Sequence, residues 1–259
     1  MCLLLLALNK HPVYKLVIAA NRDEYYERPT AQAAFWNDHP SLLAGKDLRG
    51  GGTWFGVTKG GKIAGITNYR EPSSTKSIAP SRGSIVTNFL TGKRGPEEYL
   101  EHLATTAGDF NGFNLLVGQK EALYWYSNRT NTIKKCPPGI HGLSNKLLDT
   151  PWPKVVLGKD SLKNILSDQG ALSEDSLFRM LLDRSFPEDE LLPDTGVGLE
   201  WERILSPIFI TSPTYGTRSS TLLFINHNDQ ATFFEKTYDS EGKQESVVKF
   251  EFQIVQLDQ

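Results

Sequence analysis

The sequence runs to 259 residues, with 28 basic against 30 acidic side chains and a formal charge of -2. A chain of this size buries a substantial core, and its balanced, unblocked charge argues against nucleic acid or an anionic membrane surface as the main partner. The two cysteines, Cys2 and Cys136, form no CxxC pair, which argues against a disulfide framework or a cysteine zinc site and for a reducing, cytoplasmic setting.

The first elements are short apolar runs rich in β-formers. Cys2–Leu8 and Leu16–Ala20 read as strands, joined by a turn through Lys10, His11 and Pro12. The leading run has no basic segment before it and is too short for a signal-peptide core or a membrane span, so a buried strand is expected there. Thr53–Thr58 and Lys62–Thr67 predict a hairpin around Lys59-Gly60-Gly61. Ser81 is placed to cap a helix from Arg82 to about Leu90. Pro96 fits the first turn of another, with Tyr99, Leu100, Leu103, Ala104 and Ala107 on one face. Strands resume at Phe113–Val117, Leu123–Tyr126 and Ile140–Leu143.

Two more helices are expected, from Pro153 to about Leu166 and from a Ser173 cap through Leu181. The acidic stretch from Pro187 to Gly198 reads as a surface loop. Ile208–Thr211, Thr221–Ile225, Ala231–Glu235 and Val247–Val255 return to strand patterns. Strands, then helices, then strands predict an α+β chain with sheets covered by helices. No linker-like composition divides it, so a single domain over 1–259 is expected.

Chemistry concentrates at strand ends. If Met1 is removed, Cys2 carries a thiol and a free α-amine titrating at about 7.7–8.0, so nucleophile and general base share one residue. Asn21-Arg22-Asp23-Glu24 follows the second strand. An arginine there lowers a thiol pKa or holds a carboxylate, and a carboxylate there orients the amine. As a bare pattern, the cluster reads more readily as a solvated turn with a surface ion pair. Thr67-Asn68-Tyr69-Arg70 and Leu143-Ser144-Asn145 end other strands with amides, a side chain suited to stabilising an oxyanion. Tyr215 to Thr221 sets Arg218 among hydroxyls.

These residues recur as an ordered set: Met1-Cys2, Ala19 to Thr30, Gly51-Gly52-Thr53-Trp54-Phe55-Gly56, Thr67-Asn68-Tyr69, Gly112 to Leu115, Gly142 to Asn145, Thr150-Pro151-Trp152 and Tyr215 to Arg218. The set strongly resembles the NRDE family, also known as the transport and Golgi organisation 2 family, from Cys2 to about Phe252. The resemblance implies a four-layer αββα fold like the N-terminal nucleophile hydrolases, two antiparallel sheets between helices. By analogy with the cysteine members of that superfamily, Cys2 is the expected nucleophile, flanked by Arg22 and Asp23. Asn68 and Asn145 take the oxyanion positions and Arg218 is the late arginine. The adjacency of Arg22 and Asp23 departs from the wider spacing usual in that group, which leaves open whether Asp23 or Glu24 serves the site.

Two functional readings follow. In the first, Cys2 attacks an amide or acyl thioester. In the second, the same scaffold binds haem, lipid or acyl-CoA without turnover, with Asn21, Glu24, Trp54 and Tyr69 among the ligand contacts. Trp36 and Phe55 would add to an apolar pocket there, and Arg22, Arg70 or Arg218 would meet acidic groups. Haem is then a ligand rather than a required cofactor, and no metal site is expected. A small molecule is the expected partner in both. The GxSxG elbow, phosphate-binding loop, HExxH motif and calcium loop are all missing from the sequence.

Overall fold

In the computed structural model, residues 2–119, 122–167 and 172–255 are described. Met1, on which the processing expectation rests, lies outside them, as does the side chain of Cys2. The chain divides into two compact units, the first built from 1–27 and 138–251 and the second from 28–137 and 252–259.

The first unit is a six-stranded sheet with helices on one face. Its strands are β1 (Cys2–Leu8), β2 (Tyr14–Tyr25), β10 (Gly139–Leu143), β11 (Tyr215–Asn226), β12 (Gln230–Tyr238) and β13 (Gln244–Gln253), in the order β10-β1-β2-β11-β12-β13. Strand alternation divides the side chains between two faces. Leu3, Leu5, Ala7, Val17, Ala19, Leu222 and Phe224 share one core with α3 (Pro153–Ser167) and α4 (Glu174–Leu181). Gly158 of α3 lets the helix approach closely, because a Cβ there would sit 2.6 Å from a Leu5 methyl. Ser173 caps α4 as its sequence predicts, accepting from the Ser176 N–H at 3.3 Å.

The second unit is a seven-stranded antiparallel meander. It contains β3 (Thr30–Phe35), β4 (Leu42–Asp47), β5 (Phe55–Thr58), β6 (Lys62–Asn68), β7 (Phe113–Gln119), β8 (Ala122–Ser127) and β9 (Thr132–Lys135), neighbours in space in their order along the chain. The β5–β6 hairpin forms at Lys59-Gly60-Gly61, where Gly61 takes the left-handed φ of +79° that favours glycine. Two helices, α1 (Gly83–Thr91) and α2 (Pro96–Ala104), cover this sheet. Ile85, Phe89, Leu100 and Leu103 pack on Leu42, Ile66, Leu115 and Tyr126.

Two expectations differ from what is observed. Ser81 does not cap α1: the helix starts at Gly83 without a side-chain cap, and Ser81 instead gives its carbonyl to the Ser84 hydroxyl at 2.7 Å. Ile208–Thr211 is not a strand beyond one isolated bridge, Thr211 to Gly216. Its amides are taken elsewhere, Phe209 by the Asp183 carbonyl and Ile210 by the Thr217 hydroxyl, both at an N···O distance of 2.8–2.9 Å. The stretch from Pro187 to Gly198 is a loop holding one 3-10 turn, and it leads into the short helix α5 (Leu199–Ile204). Among the described residues no helix is long and apolar enough to cross a membrane.

At the β10 edge, Asp149 folds back on Gly142. Its N–H donates to the Gly142 carbonyl at 2.8 Å and its Oδ1 accepts from the Gly142 N–H at 2.9 Å. The same carboxylate meets His141 Nδ1 at 2.7 Å and Lys159 Nζ at 2.6 Å. Burial would raise its pKa, but these hydrogen bonds overcome that and hold it at about 2. A carboxyl depressed when folded stabilises above its unfolded pKa and loses that contribution as pH falls toward the folded value. Asp149→Asn is therefore expected to cost about 1 kcal/mol near neutrality, after discounting for partial exposure, and progressively less below about pH 4. Urea denaturation of both proteins across that range measures the convergence.

Candidate functional site

The Asn21–Glu24 cluster does not end β2; it is the last part of the strand, which runs on to Tyr25 between β1 and β11. Cys2 pairs through its backbone with Arg22, and Leu3 with Asn21. On the other side Asn21 faces Ser220, Arg22 faces Ser219 and Asp23 faces Thr217. Positions 2, 22 and 219 thus form one row across three neighbouring strands.

Adjacent residues on a strand point to opposite faces, and this separates Arg22 from Asp23. Asn21 continues the helix-facing set of Val17 and Ala19. Its Nδ2 donates to the carbonyls of Leu181 and Ile208 at 2.8 and 2.9 Å, and its Oδ1 accepts from the Ser220 hydroxyl at 2.6 Å. Both amide protons and the oxygen are thereby engaged inside the fold.

Asp23 shares that face. It is 1 % exposed, and its Oδ1 accepts from the Thr217 hydroxyl at 2.7 Å. Burial pushes its carboxyl pKa up, while Lys154, Thr217 and Arg22 draw it back down. The Tyr215 hydroxyl donates to the Asp23 carbonyl at 3.0 Å. Arg22 and Glu24 alternate to the opposite side. Arg22 is 5 % exposed, while Glu24 is half-buried and accepts from the Tyr25 N–H at 3.0 Å.

Arg218 is the extra residue of a β-bulge, because the pairing jumps from Thr217–Asp23 to Ser219–Arg22. Its guanidinium leaves the ladder and donates to the carbonyls of Tyr25 and Tyr26 at 3.0 and 3.2 Å. Gly216 must lack a side chain here, since a Cβ would meet the Tyr26 hydroxyl and lie 2.7 Å from the Ile210 carbonyl. Asn145 is fully buried two residues beyond Leu143, which pairs with Leu4, so it stands at the Cys2 end of the sheet. Its Oδ1 accepts from the Ser144 hydroxyl at 3.3 Å.

Asn68, Trp54 and Tyr69 belong to the second unit. Asn68 ends β6 opposite Phe113, and the Tyr69 N–H donates to the Gly112 carbonyl at 2.9 Å. The Trp54 indole lies against Gly45, where a Cβ would collide with the ring. Arg70 is buried and Trp36 donates its indole N–H to the Ala44 carbonyl at 3.0 Å.

One charged residue near this row was not anticipated. Lys154 is 3 % exposed on the first turn of α3 and donates to the Leu205 carbonyl at 2.9 Å. Its signal was present in the sequence, as a lysine directly after the Thr150-Pro151-Trp152-Pro153 stretch. No group of three or more His, Cys, Asp or Glu side chains among the described residues is placed to hold a metal ion.

Two antiparallel sheets, each with its own helices, are the architecture of the N-terminal nucleophile hydrolase fold. Solved structures agree. A variant of the conjugated bile acid hydrolase from Clostridium perfringens is 8% identical with a TM-score of 0.56, covering 97% of this chain and 92% of that one; at this identity the likeness is one of fold alone. The chain belongs to the Transport and Golgi organisation 2 family, whose model matches residues 1–240. The Transport and Golgi organization 2 homolog of Mus musculus is 34% identical over 257 residues, covering 92% of this chain and 93% of its own. The Homo sapiens homolog is also 34% identical, and the Drosophila melanogaster protein is 28% identical.

Proposed function

We propose that the chain is an acyl-transfer or amide-hydrolysing enzyme acting through Cys2. One observation carries this reading: Cys2 stands in register with the buried Arg22, in a sheet end lined by buried polar groups. Buried polar and charged side chains are costly, and a cluster of them beside a cysteine marks a site rather than a core.

The strand register supports the following division of roles. In an antiparallel pair, the residue after Arg22 lies toward the nitrogen side of Cys2, and the residue before it toward the carbonyl side. Asp23 therefore stands by the α-amine that removal of Met1 would expose, held by Thr217. Arg22 favours the thiolate by charge. The amine takes the thiol proton, and the sulfur attacks the acyl carbonyl. Asn145, at the same end of the sheet, is the donor for the oxyanion that forms. The protonated amine then supplies the proton that the leaving amine or thiol carries away. Water hydrolyses the resulting thioester and returns the site to its starting state.

A thiol-directed acylating probe tests this on protein whose Met1 has been removed, as verified by intact mass. Wild type and Cys136→Ala are expected to take up one acyl group, and Cys2→Ala none. Equal labelling of Cys2→Ala and wild type would sink the enzymatic reading. An N-terminus that retains Met1 in the natively expressed protein would do so too, because Cys2 then has no α-amine.

A further inference from the structure

The second unit carries a groove of about 450 Å³ between α1 and α2, within the about 300–1,000 Å³ typical of small-ligand pockets. Its floor is apolar, with Ile85 and Leu103 buried and Phe110 half-buried. Its rim is polar and cationic, with Lys93 and Arg94 on the turn between the helices and Asn88 on α1. Arg94 shares its charge with Glu98 at 3.3 Å, so Lys93 supplies much of the positive field. Other acidic side chains of α2, Glu97 and Glu101, turn toward a different depression beside Tyr124.

The cationic turn is held in place from below. Lys62 of β6 is 8 % exposed and donates to the carbonyls of Gly92 and Arg94 at 2.7 and 2.8 Å, and to that of Phe89 at 3.3 Å. The last carbonyls of a helix lack partners within it, and an ammonium there also offsets the negative end of the helix. One buried lysine therefore closes α1 and fixes the backbone that presents Lys93 and Arg94. Less ordering of the rim is then left to be paid on binding an anion.

We propose that this groove binds a small anionic amphiphile, its oxyanion head at Lys93 and Arg94 and its apolar body on Ile85, Leu103 and Phe110. The site is separate from Cys2 and does not depend on its chemistry.

Titration of the full chain with anilinonaphthalene sulfonate, followed by fluorescence, tests the proposal, with dodecyl phosphate as competitor. Wild type is expected to show saturable binding that dodecyl phosphate displaces and that weakens as salt is raised. Reversing both charges, in Lys93→Glu with Arg94→Glu, should weaken it by about tenfold or more. Thr106→Trp, on the exposed wall, should fill the groove and abolish binding without touching the rim charges. Flotation with phosphatidylcholine vesicles containing phosphatidic acid distinguishes the source. Co-flotation lost on charge reversal assigns a lipid headgroup, and displacement without flotation assigns a free amphiphile. Equal affinity in wild type and both variants, or binding that never saturates, overturns the proposal.

Discussion

Asn21→Leu keeps the branching of the side chain at Cγ and is expected to destabilise the protein by about 3 to 5 kcal/mol. The side chain gives both amide protons to backbone carbonyls, of Leu181 and Ile208, and receives the Ser220 hydroxyl. An apolar replacement strands these partners in the interior, at about 1 to 3 kcal/mol for each group left without a hydrogen bond. Because the three partners come from α4, the segment before β11 and β11 itself, the amide joins parts of the chain far apart in sequence. The midpoint of urea unfolding should fall with little change in its slope, the signature of lost stability rather than a changed unfolded state. A loss below about 1 kcal/mol would show that the amide is not bonded in this way.

Arg22→Gln is expected to slow acylation of Cys2 by about 10- to 100-fold, tenfold for each unit by which the thiol pKa rises once the cation is gone. The pH dependence separates this from a packing defect. Loss of the charge moves the rise of the rate to higher pH, whereas a packing defect lowers the rate at every pH. Arg22→Lys keeps the charge and should recover most of the rate at neutral pH. Thermal unfolding monitored in parallel identifies a variant that has simply failed to fold. A folded Arg22→Gln protein with the wild-type rate and profile would remove Arg22 from the site.

Much of the fold was legible because strand and helix periodicities are written in apolar residues. The runs at Leu3–Leu8, Leu16–Ala20 and Leu222–Ile225 carry the first sheet, and Tyr99, Leu100 and Leu103 mark the buried face of α2. Weakly apolar strands escaped notice. Thr30–Phe35 is built from alanine, glutamine and threonine around one phenylalanine, and Thr132–Lys135 is mostly polar at a sheet edge. β2 appeared to stop at Ala20 because four polar residues follow, yet the strand continues to Tyr25. Distant groups satisfy those residues, the α4 terminus for Asn21 and Thr217 for Asp23, and no local pattern announces them.

The sequence named candidate residues for a site but not their geometry, and Asn68, Trp54 and Tyr69 belong to the second unit. The resemblance placed Arg22 and Asp23 together around Cys2, but a strand turns neighbours to opposite faces. The bulge at Arg218 adds a second slip: Thr217 and Ser219, two apart, would share a face in a regular strand but pair with adjacent residues of β2. Lys154 acts on Asp23 from a helix more than a hundred residues later, a relation only the folded chain expresses.

The embrace of Gly142 by Asp149 bears on how the molecule behaves in company. A border strand with open amides is a template on which another chain can lay its own strand, the first step toward runaway polymerisation. Here the border strand β10 has its Gly142 amide and carbonyl occupied by a residue of the same chain, and Lys159 places a charge beside them. A stranger approaching that margin would have to displace an ionised carboxylate before it could dock. At high concentration, this side of the first sheet is thereby guarded against stacking with its own copies.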